Sequence, residues 1–166
     1  SAEHWLAEVG RRQRKIDRID ASLAPRVARI AAAIEAHAER ECRRPCTLIH
    51  GDFHPDQIWV HDGRIVLFDF DEFTLGDPME DLAEFVLKLE QLGARPALVS
   101  ALVARYAAAA PQRFDRASLH WHLAIQSLLQ STRTVIYQQP GWAESLQQRL
   151  ADSESRAAAL ATPGTP

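Results

Sequence analysis

Several features are scarce in this sequence, and each scarcity narrows what the chain can be. The 166 residues include only two cysteines, Cys42 and Cys46, which are too few for a disulfide framework and predict a reducing compartment, the cytoplasm. No apolar run approaches the roughly eighteen residues that span a bilayer, and residues 1–15 are too polar for a signal peptide. The formal net charge of -3 gives no general reason to expect nucleic acid or an anionic membrane as a partner.

Apolar residues at helical spacing dominate both ends of the chain. Residues 1–45 are predicted to be helical, with a break after which Pro25 occupies the first turn of a second helix. Residues 79–160 are predicted to form a helical bundle, with Gly93 as a helix C-cap, and residues 161–166 are predicted to fray. The helices predicted in this bundle are 79–92, 95–110, 115–138 and 141–160.

The middle of the chain, residues 46–78, is predicted to be a small β unit. Its short apolar runs are 47–50, 57–60 and 65–68, and the Asp62-Gly63 pair between the last two favours a hairpin, because glycine accepts the positive φ of the turn. With so little strand, the predicted fold class is mainly α (α+β), in one domain that covers residues 1–166.

Polar side chains follow the apolar runs of this β unit. Asp52 ends the first run, and the hairpin brings Gln57 and Asp69 to its open end. An oxygen ligand from each of these two residues suits a hard divalent cation such as Mg²⁺, and the separate carboxylate of Asp52 can accept a proton from a hydroxyl. Phosphoryl transfer uses a general base together with ligands for the metal ion that binds the nucleotide phosphates.

Three segments carry a resemblance to a known family: HGDFHPDQ (50–57), DFD (69–71) and GDPMEDLA (76–83). In order and spacing they resemble the motifs of the aminoglycoside phosphotransferase and choline kinase-like family, which are small-molecule kinases with a protein-kinase-like fold. The resemblance is close over residues 47–87 and covers the other helices in outline. It implies that the chain is the helical C-terminal lobe of such a fold.

The resemblance also implies roles for individual residues. Asp52 would be the catalytic base that faces the acceptor hydroxyl, and His50 would support the catalytic loop. Asp69 would bind the Mg²⁺ ions that bridge the phosphates of ATP, with Asp71 supporting the metal shell. Gln57 stands where the family has a metal-binding asparagine. The glutamine amide lies one methylene further from the backbone than an asparagine amide. The maltokinase-like branch of the family looks similar, with glutamine at this position. Asp77 and Asp81 would hold a helix start and a loop.

The family's second, N-terminal lobe has no counterpart in the sequence. That lobe covers ATP with a flexible loop and supplies a lysine, whereas here the seven glycines are not clustered and the two lysines, Lys15 and Lys88, lie in helical patterns. The chain also begins with Ser1-Ala2 and not with methionine. We therefore expect either a fragment or a natural truncation, weakly active or inactive alone, whose exposed apolar lobe interface favours self-association.

The predicted reaction is transfer of the γ-phosphoryl group of ATP to a hydroxyl of a small molecule, which would be an aminoglycoside, a sugar or a choline-like compound. Residues of the later helices would bind and recognise this acceptor. An alternative is a non-catalytic, pseudokinase-like binding module that acts through its helical surface. The candidate acceptor-site residues are Glu72, Glu84, Gln126, Gln130 and Arg133.

A zinc site is the other alternative, because cysteine and histidine recur every four residues at Cys42, Cys46, His50 and His54. Prolines and a glycine between them break any continuous helix, so this alternative is disfavoured. We therefore interpret His54 as an ordinary loop histidine. Of the four tryptophans, we expect Trp59 and Trp121 to be core residues.

Overall fold

The computed structural model describes residues 2–136 and 140–161, which belong to two compact units. The helical unit comprises residues 1–44 and 120–166, and the mixed unit comprises residues 45–119. Residues 162–166 of the predicted frayed tail and residues 137–138 of a predicted helix lie outside the described residues. In chain order the elements are α1 (Ala2–Ile19), α2 (Ala24–Glu35), α3 (Ala38–Cys42), β1 (Thr47–Ile49), β2 (Ile58–His61), β3 (Arg64–Leu67), β4 (Thr74–Gly76), α4 (Pro78–Gln91), α5 (Pro96–Ala109), α6 (Arg116–Gln130), α7 (Arg133–Ile136) and α8 (Trp142–Leu160).

The helical unit is built around one hydrophobic core. Its helices carry apolar residues three or four positions apart, so each helix buries one face, and each fully buried large side chain contributes about 1.5–3 kcal/mol. Trp121 of α6 is 1% exposed, and its indole nitrogen donates a hydrogen bond of 2.9 Å to the carbonyl of Ile34 in α2. The largest fully buried apolar side chains of this unit are Ile16, Val27, Ile30, Ile34, Trp121, Ile125, Leu128, Leu146 and Leu150.

The predicted break near Pro25 is confirmed. Asp20 accepts a hydrogen bond of 2.9 Å from the backbone nitrogen of Ser22 and so caps a single 3₁₀ turn over Ala21–Leu23. The helix α2 starts directly after that turn, with Pro25 in its first turn, where the missing N–H leaves no hydrogen bond unmade. Because Pro25 lies at the start of α2, the helix continues after it as far as Glu35.

The mixed unit contains two separate two-stranded sheets. The strands β2 and β3 pair antiparallel from Ile58 with Leu67 to His61 with Arg64, and Asp62 and Gly63 between them have φ of 47° and 71°. Positive φ at both turn residues is typical of a type I′ turn, so the hairpin predicted from Asp-Gly is confirmed.

The strand β4 was missed by sequence reasoning. It pairs antiparallel with β1, with Thr47 opposite Gly76. A Cβ atom on Gly76 would lie 2.4 Å from Cδ1 of Ile49, so a larger residue there would force the Ile49 side chain to shift. Three residues that end in glycine carry almost no strand signal, and only the pairing with β1 defines them as a strand.

The expectation that Trp59 is a core residue is wrong. Trp59 is 65% exposed, and the other residues of β2 and β3 after Ile58 are exposed as well. A two-stranded ribbon has two faces, and Trp59 packs against only one aromatic ring, that of Phe68 at 4.7 Å between centroids. Trp121 is confirmed as a core residue. None of the helices in the described ranges combines the length and the apolar character needed to cross a membrane.

The helix α4 begins where the sequence predicts. Asp77 precedes it in extended conformation and accepts a hydrogen bond of 2.9 Å from the backbone nitrogen of Met79. The other carboxylate oxygen of Asp77 accepts from the hydroxyl of Ser118 at 3.0 Å. Gly93, with φ of 77°, follows the end of the helix.

Candidate active site

The loop that follows β1 is held in place by a carboxylate from α4. Asp81, in the first turn of α4, accepts hydrogen bonds from the backbone nitrogens of His50 at 2.8 Å and of Gly51 at 2.9 Å. Burial raises the pKa of Asp81, and these two hydrogen bonds act against that rise. The loop-holding role predicted for Asp81 is therefore confirmed by its contacts.

Two further features fix the same loop. Gly51 has φ of 86°, and a Cβ atom at this position would lie 2.3 Å from the carbonyl oxygen of Glu72. The buried ring of His50 donates a hydrogen bond of 2.8 Å from Nε2 to the carbonyl oxygen of Phe68 and packs at 4.8 Å from the ring of Phe70. His50 thus connects the loop to the end of β3, which is a geometry suited to a supporting residue.

Asp52 comes next in the chain and has a different environment. Its side chain is 46% exposed, and its Oδ2 lies 3.6 Å from Nε2 of His54. An exposed carboxylate on a loop whose preceding residues are fixed can meet a hydroxyl group that arrives from solvent. The position therefore suits a general base.

Gln57 and Asp69 meet at the open end of the hairpin, as the sequence predicts. The backbone nitrogen of Phe68 donates to the carbonyl oxygen of Gln57 at 3.0 Å, which continues the pairing of the strands. Beyond it, Nε2 of Gln57 donates a hydrogen bond of 3.1 Å to Oδ2 of Asp69. Asp69 has φ of 60°, a left-handed conformation that aspartate adopts more readily than most residues and that is common at functional sites.

The pair fits a magnesium ion better than a metal that needs many protein ligands. Within the described ranges, no group of three or more His, Cys, Asp or Glu side chains is arranged to hold a metal ion. Gln57 and Asp69 would offer one amide oxygen and one carboxylate, although the amide nitrogen is the atom that faces Asp69 here, and Mg²⁺ characteristically takes one or two protein ligands while water and phosphate oxygens complete its shell. Asp71 is exposed in the turn after Asp69, and the structure gives it no hydrogen bond to either residue.

His54 is the residue that sequence reasoning underrated. Its ring nitrogens lie 3.6 Å from Asp52, 3.6 Å from Asp56 and 3.3 Å from the amide nitrogen of Gln57, and its side chain is only 17% exposed. Pro55–Gln57 forms a 3₁₀ turn, in which side chains three positions apart lie over each other. The proline after His54 was the available signal, since a turn that starts there brings His54 toward Gln57.

The remaining predicted residues divide between the two units. Glu72 and Glu84 belong to the same unit as Asp52, whereas the other three acceptor candidates belong to the helical unit. For zinc, Cys42 and Cys46 are both exposed, and the described residues offer no cluster of the kind that a zinc ion requires.

Comparisons with known proteins agree on the fold. The chain matches crystal structures of a thermostable mutant of aminoglycoside phosphotransferase APH(4)-Ia. The apo form has a TM-score of 0.64 and 18% identity over 87% of this chain and 47% of that chain. A ternary complex with ADP and hygromycin B has a TM-score of 0.63 and 17% identity over 87% of this chain and 46% of that chain. A ternary complex with AMP-PNP and hygromycin B has a TM-score of 0.56 and 19% identity over 85% of this chain and 44% of that chain.

These similarities define a fold and its extent. The chain spans about half the length of the solved structures that it matches. No curated protein matches it significantly. The family model of the phosphotransferase enzyme family (APH) matches residues 1–122, which is most of the sequence. The chain therefore belongs to the APH phosphotransferase enzyme family and has the kinase-like aminoglycoside phosphotransferase fold.

Proposed function

We propose that this chain is part of a kinase that transfers the γ-phosphoryl group of ATP to a hydroxyl of a small molecule. One observation carries the proposal: an unbroken series of contacts runs from Asp52 through His54 and Gln57 to Asp69, with no separation above 3.6 Å. A candidate base and a candidate metal site thus adjoin each other, as in-line phosphoryl transfer requires. The membership of the family and the nucleotides named in the matched structures support the same reaction.

In this proposal each residue has a distinct task. Asp52 accepts the proton of the acceptor hydroxyl and orients its oxygen toward the phosphoryl group, while Asp81 and His50 keep the loop in place. Gln57 and Asp69 hold Mg²⁺, which when bound neutralises charge on the phosphates of ATP. Asp71 is proposed as an outer support of this site, as the family resemblance implies.

The acceptor is proposed only as a class: an aminoglycoside, a sugar or a choline-like molecule with a free hydroxyl. A polycationic acceptor would favour an acidic surface, and exposed Asp71 and Glu72 lie shortly after Asp69 in the chain. The two matched complexes contain hygromycin B, which makes aminoglycosides the first compounds to test. From the two cysteines we further propose a cytoplasmic location.

The exposed hairpin supports the proposal that a second lobe completes the kinase. The matched structures are about twice as long as this chain, so each has a further half. Exposed apolar side chains follow one another along β2 and β3, and such a surface is typical of an interface. We propose that a second lobe covers it and that chains without this lobe associate with one another through it. The exposed residues concerned are Trp59, Val60, Ile65, Val66 and Leu67.

The test is an assay of γ-phosphoryl transfer from ATP with the complete protein and a panel of hydroxylated acceptors. The variant Asp52→Asn should lower kcat by about 10²–10⁴-fold, because a general base contributes that much. Asp62→Asn, which changes an exposed carboxylate at the far end of the hairpin, is the matched control and should leave kcat unchanged.

Two results would contradict the proposal. One is a complete protein that transfers phosphate to none of the acceptors yet binds a protein partner through its helices, which would favour the non-catalytic module. The other is transfer at the normal rate by Asp52→Asn, which would remove Asp52 from the reaction.

A further inference from the structure

We propose that two phenylalanines, Phe53 and Phe85, position Asp52. Their stacked rings hold the loop just after Asp52, in the same way as the hydrogen bonds to Asp81 hold it just before. This inference rests on the proposed function, because it gives the pair a task in placing the candidate base. Both phenylalanines are positioning residues, since they act on the reaction only through Asp52.

The carboxylate of Asp52 is not held directly. Its Oδ2 lies 3.6 Å from Nε2 of His54, which is too far for a hydrogen bond. The direction of the carboxylate therefore depends on how the backbone is fixed on each side of Asp52. Asp81 fixes the preceding side, because it accepts hydrogen bonds from the backbone nitrogens of His50 and Gly51.

The hydrogen bonds to Asp81 do not by themselves fix the residues after Gly51. Glycine has the widest range of backbone conformations, and Gly51 adopts a φ of 86°, so the chain can pivot at this point. A second attachment beyond Asp52 removes that freedom. Phe53 supplies it, because its ring is stacked on the ring of Phe85 with 4.9 Å between centroids and 23° between planes.

Both attachments come from one face of a single helix. Asp81 and Phe85 are four positions apart in α4, so their side chains lie one above the other. The two stacked rings are half-buried, and their centroid distance is within the range that aromatic pairs favour. The ring of His50 lies 5.7 Å from that of Phe53, so the two attachments adjoin each other. The helix α4 thus fixes the backbone on both sides of Asp52.

The experiment measures γ-phosphoryl transfer by the complete protein and compares two substitutions of one ring. Phe85→Leu keeps an apolar side chain but removes the ring. It should lower kcat by about 10²-fold, because a displacement of about 1 Å at a reacting group is enough for such a loss, and it should leave the KM of the acceptor within about twofold. Phe85→Tyr keeps the stacked ring and should retain kcat.

The split between kcat and KM separates positioning from substrate binding. If Phe85→Leu raises the KM of the acceptor and leaves kcat unchanged, the rings are a surface on which the acceptor lies, and the inference is wrong.

Phe114→Leu is the matched control. Phe114 is a half-buried ring of the same unit and packs against Tyr106 of α5 with 6.4 Å between centroids. Its loss should weaken packing in this unit without acting on Asp52, so kcat should not change. An equal loss of kcat in Phe114→Leu and Phe85→Leu would assign the effect to general destabilisation and contradict the inference.

A double substitution tests whether the two rings act as one contact. Phe53→Leu should lower kcat as much as Phe85→Leu does, and the double variant should lose no more than either single variant. Losses that multiply in the double variant would mean that the rings act separately, contrary to the inference.

A fluorine label tests the stack itself without any assay of transfer. The ¹⁹F resonance of 4-fluorophenylalanine at position 53 should shift in Phe85→Leu, because the neighbouring ring is lost, and should not move in Phe114→Leu. An unchanged resonance in Phe85→Leu would show that the rings are not stacked in solution and would overturn the inference.

The inference and the proposed function fail in different ways. If Asp52→Asn lowers kcat and Phe85→Leu does not, the inference is wrong and the proposed function stands. If the complete protein transfers phosphate to none of the acceptors, the proposed function is wrong and the task of the phenylalanine pair is overturned with it.

Discussion

The two units of this chain are organised by different interactions. In the helical unit, large apolar side chains are buried against one another, and Trp121 is almost completely enclosed. In the mixed unit, the hairpin is exposed, and the loop that carries Asp52 is held by backbone hydrogen bonds that Asp81 accepts and by one that the His50 ring donates to the carbonyl of Phe68. Apolar side chains are packed in the mixed unit as well, where Ile49 and Met79 are fully buried, but there directed hydrogen bonds also fix the position of candidate chemical groups.

The largest effect is expected when one tryptophan from each unit is replaced and the losses of stability are compared. Trp121→Ala removes a buried ring and a hydrogen bond to Ile34, so the free energy of unfolding should fall by about 3–5 kcal/mol. Trp59→Ala, at a position that is 65% exposed, should change it by less than about 0.5 kcal/mol. Denaturant titrations measure both. Equal losses in the two variants would mean that the hairpin is packed in solution.

A second comparison concerns two glycines of the mixed unit that share a positive φ. Gly63→Ala should cost about 1–2 kcal/mol from backbone strain alone, since no atom lies within 4 Å of the added Cβ. Gly51→Ala adds a contact of 2.3 Å with the carbonyl of Glu72, so its cost should be larger, and it should displace the loop. Thermal unfolding gives the ranking, and a smaller loss for Gly51→Ala would show that the loop tolerates movement.

The third substitution removes the hydrogen bonds that hold the loop. Asp81→Ala leaves the backbone nitrogens of His50 and Gly51 without their acceptor, and should lower the free energy of unfolding by about 2 kcal/mol. Amide hydrogen exchange at these two residues should become faster. Asp71→Ala, at an exposed carboxylate, serves as the control and should leave exchange there unchanged. Unchanged exchange in Asp81→Ala would assign the rigidity of the loop to another contact.

The smallest effect concerns an ion pair of the helical unit. Arg26 donates hydrogen bonds of 3.0 and 2.7 Å to Glu154, and these lower the pKa of that carboxyl. The pair therefore stabilises the fold above the ordinary pKa of glutamate, and this contribution is lost as the pH falls through the lowered value. Glu154→Gln should cost about 0.5 kcal/mol at neutral pH and nothing in strong acid.

The control for this ion pair is Arg26→Gln, which removes the partner that lies closest to the Glu154 carboxylate. Adding Glu154→Gln to it should cause a smaller further loss at neutral pH than Glu154→Gln alone in the same denaturant titrations. If the Glu154→Gln deficit persists in strong acid, its origin is packing and not charge.

Local signals in the sequence predicted much of the fold. The periodicity of Val27, Ile30 and Ile34 predicted a buried helix face, and Asp62-Gly63 predicted the hairpin. Both predictions were possible because each signal involves residues that lie only a few positions apart in the sequence. The strand β4 and the exposure of Trp59 depend on partners distant in sequence or on the lack of a covering layer. Neither property can be predicted from a short stretch of the sequence.

The candidate site divides in the same way. The meeting of Gln57 and Asp69 followed from the register of one hairpin and was predictable. The position of His54 was not predicted, because it depends on side-chain directions within a single 3₁₀ turn. The tasks of Asp52, Gln57 and Asp69 in a reaction stay predictions that the experiments above test.

The positions of the tryptophans provide an intrinsic fluorescent probe for each unit. Of the four tryptophans, Trp59 alone lies in residues 45–119, two positions after Gln57, while Trp5, Trp121 and Trp142 belong to the helical unit. The exposed indole of Trp59 should emit at longer wavelength than the enclosed Trp121 and be quenched first by acrylamide. Replacing the other three with phenylalanine would leave a single fluorophore beside the site, which would report events in the mixed unit, whereas a variant that keeps Trp121 alone would report the unfolding of the helical unit.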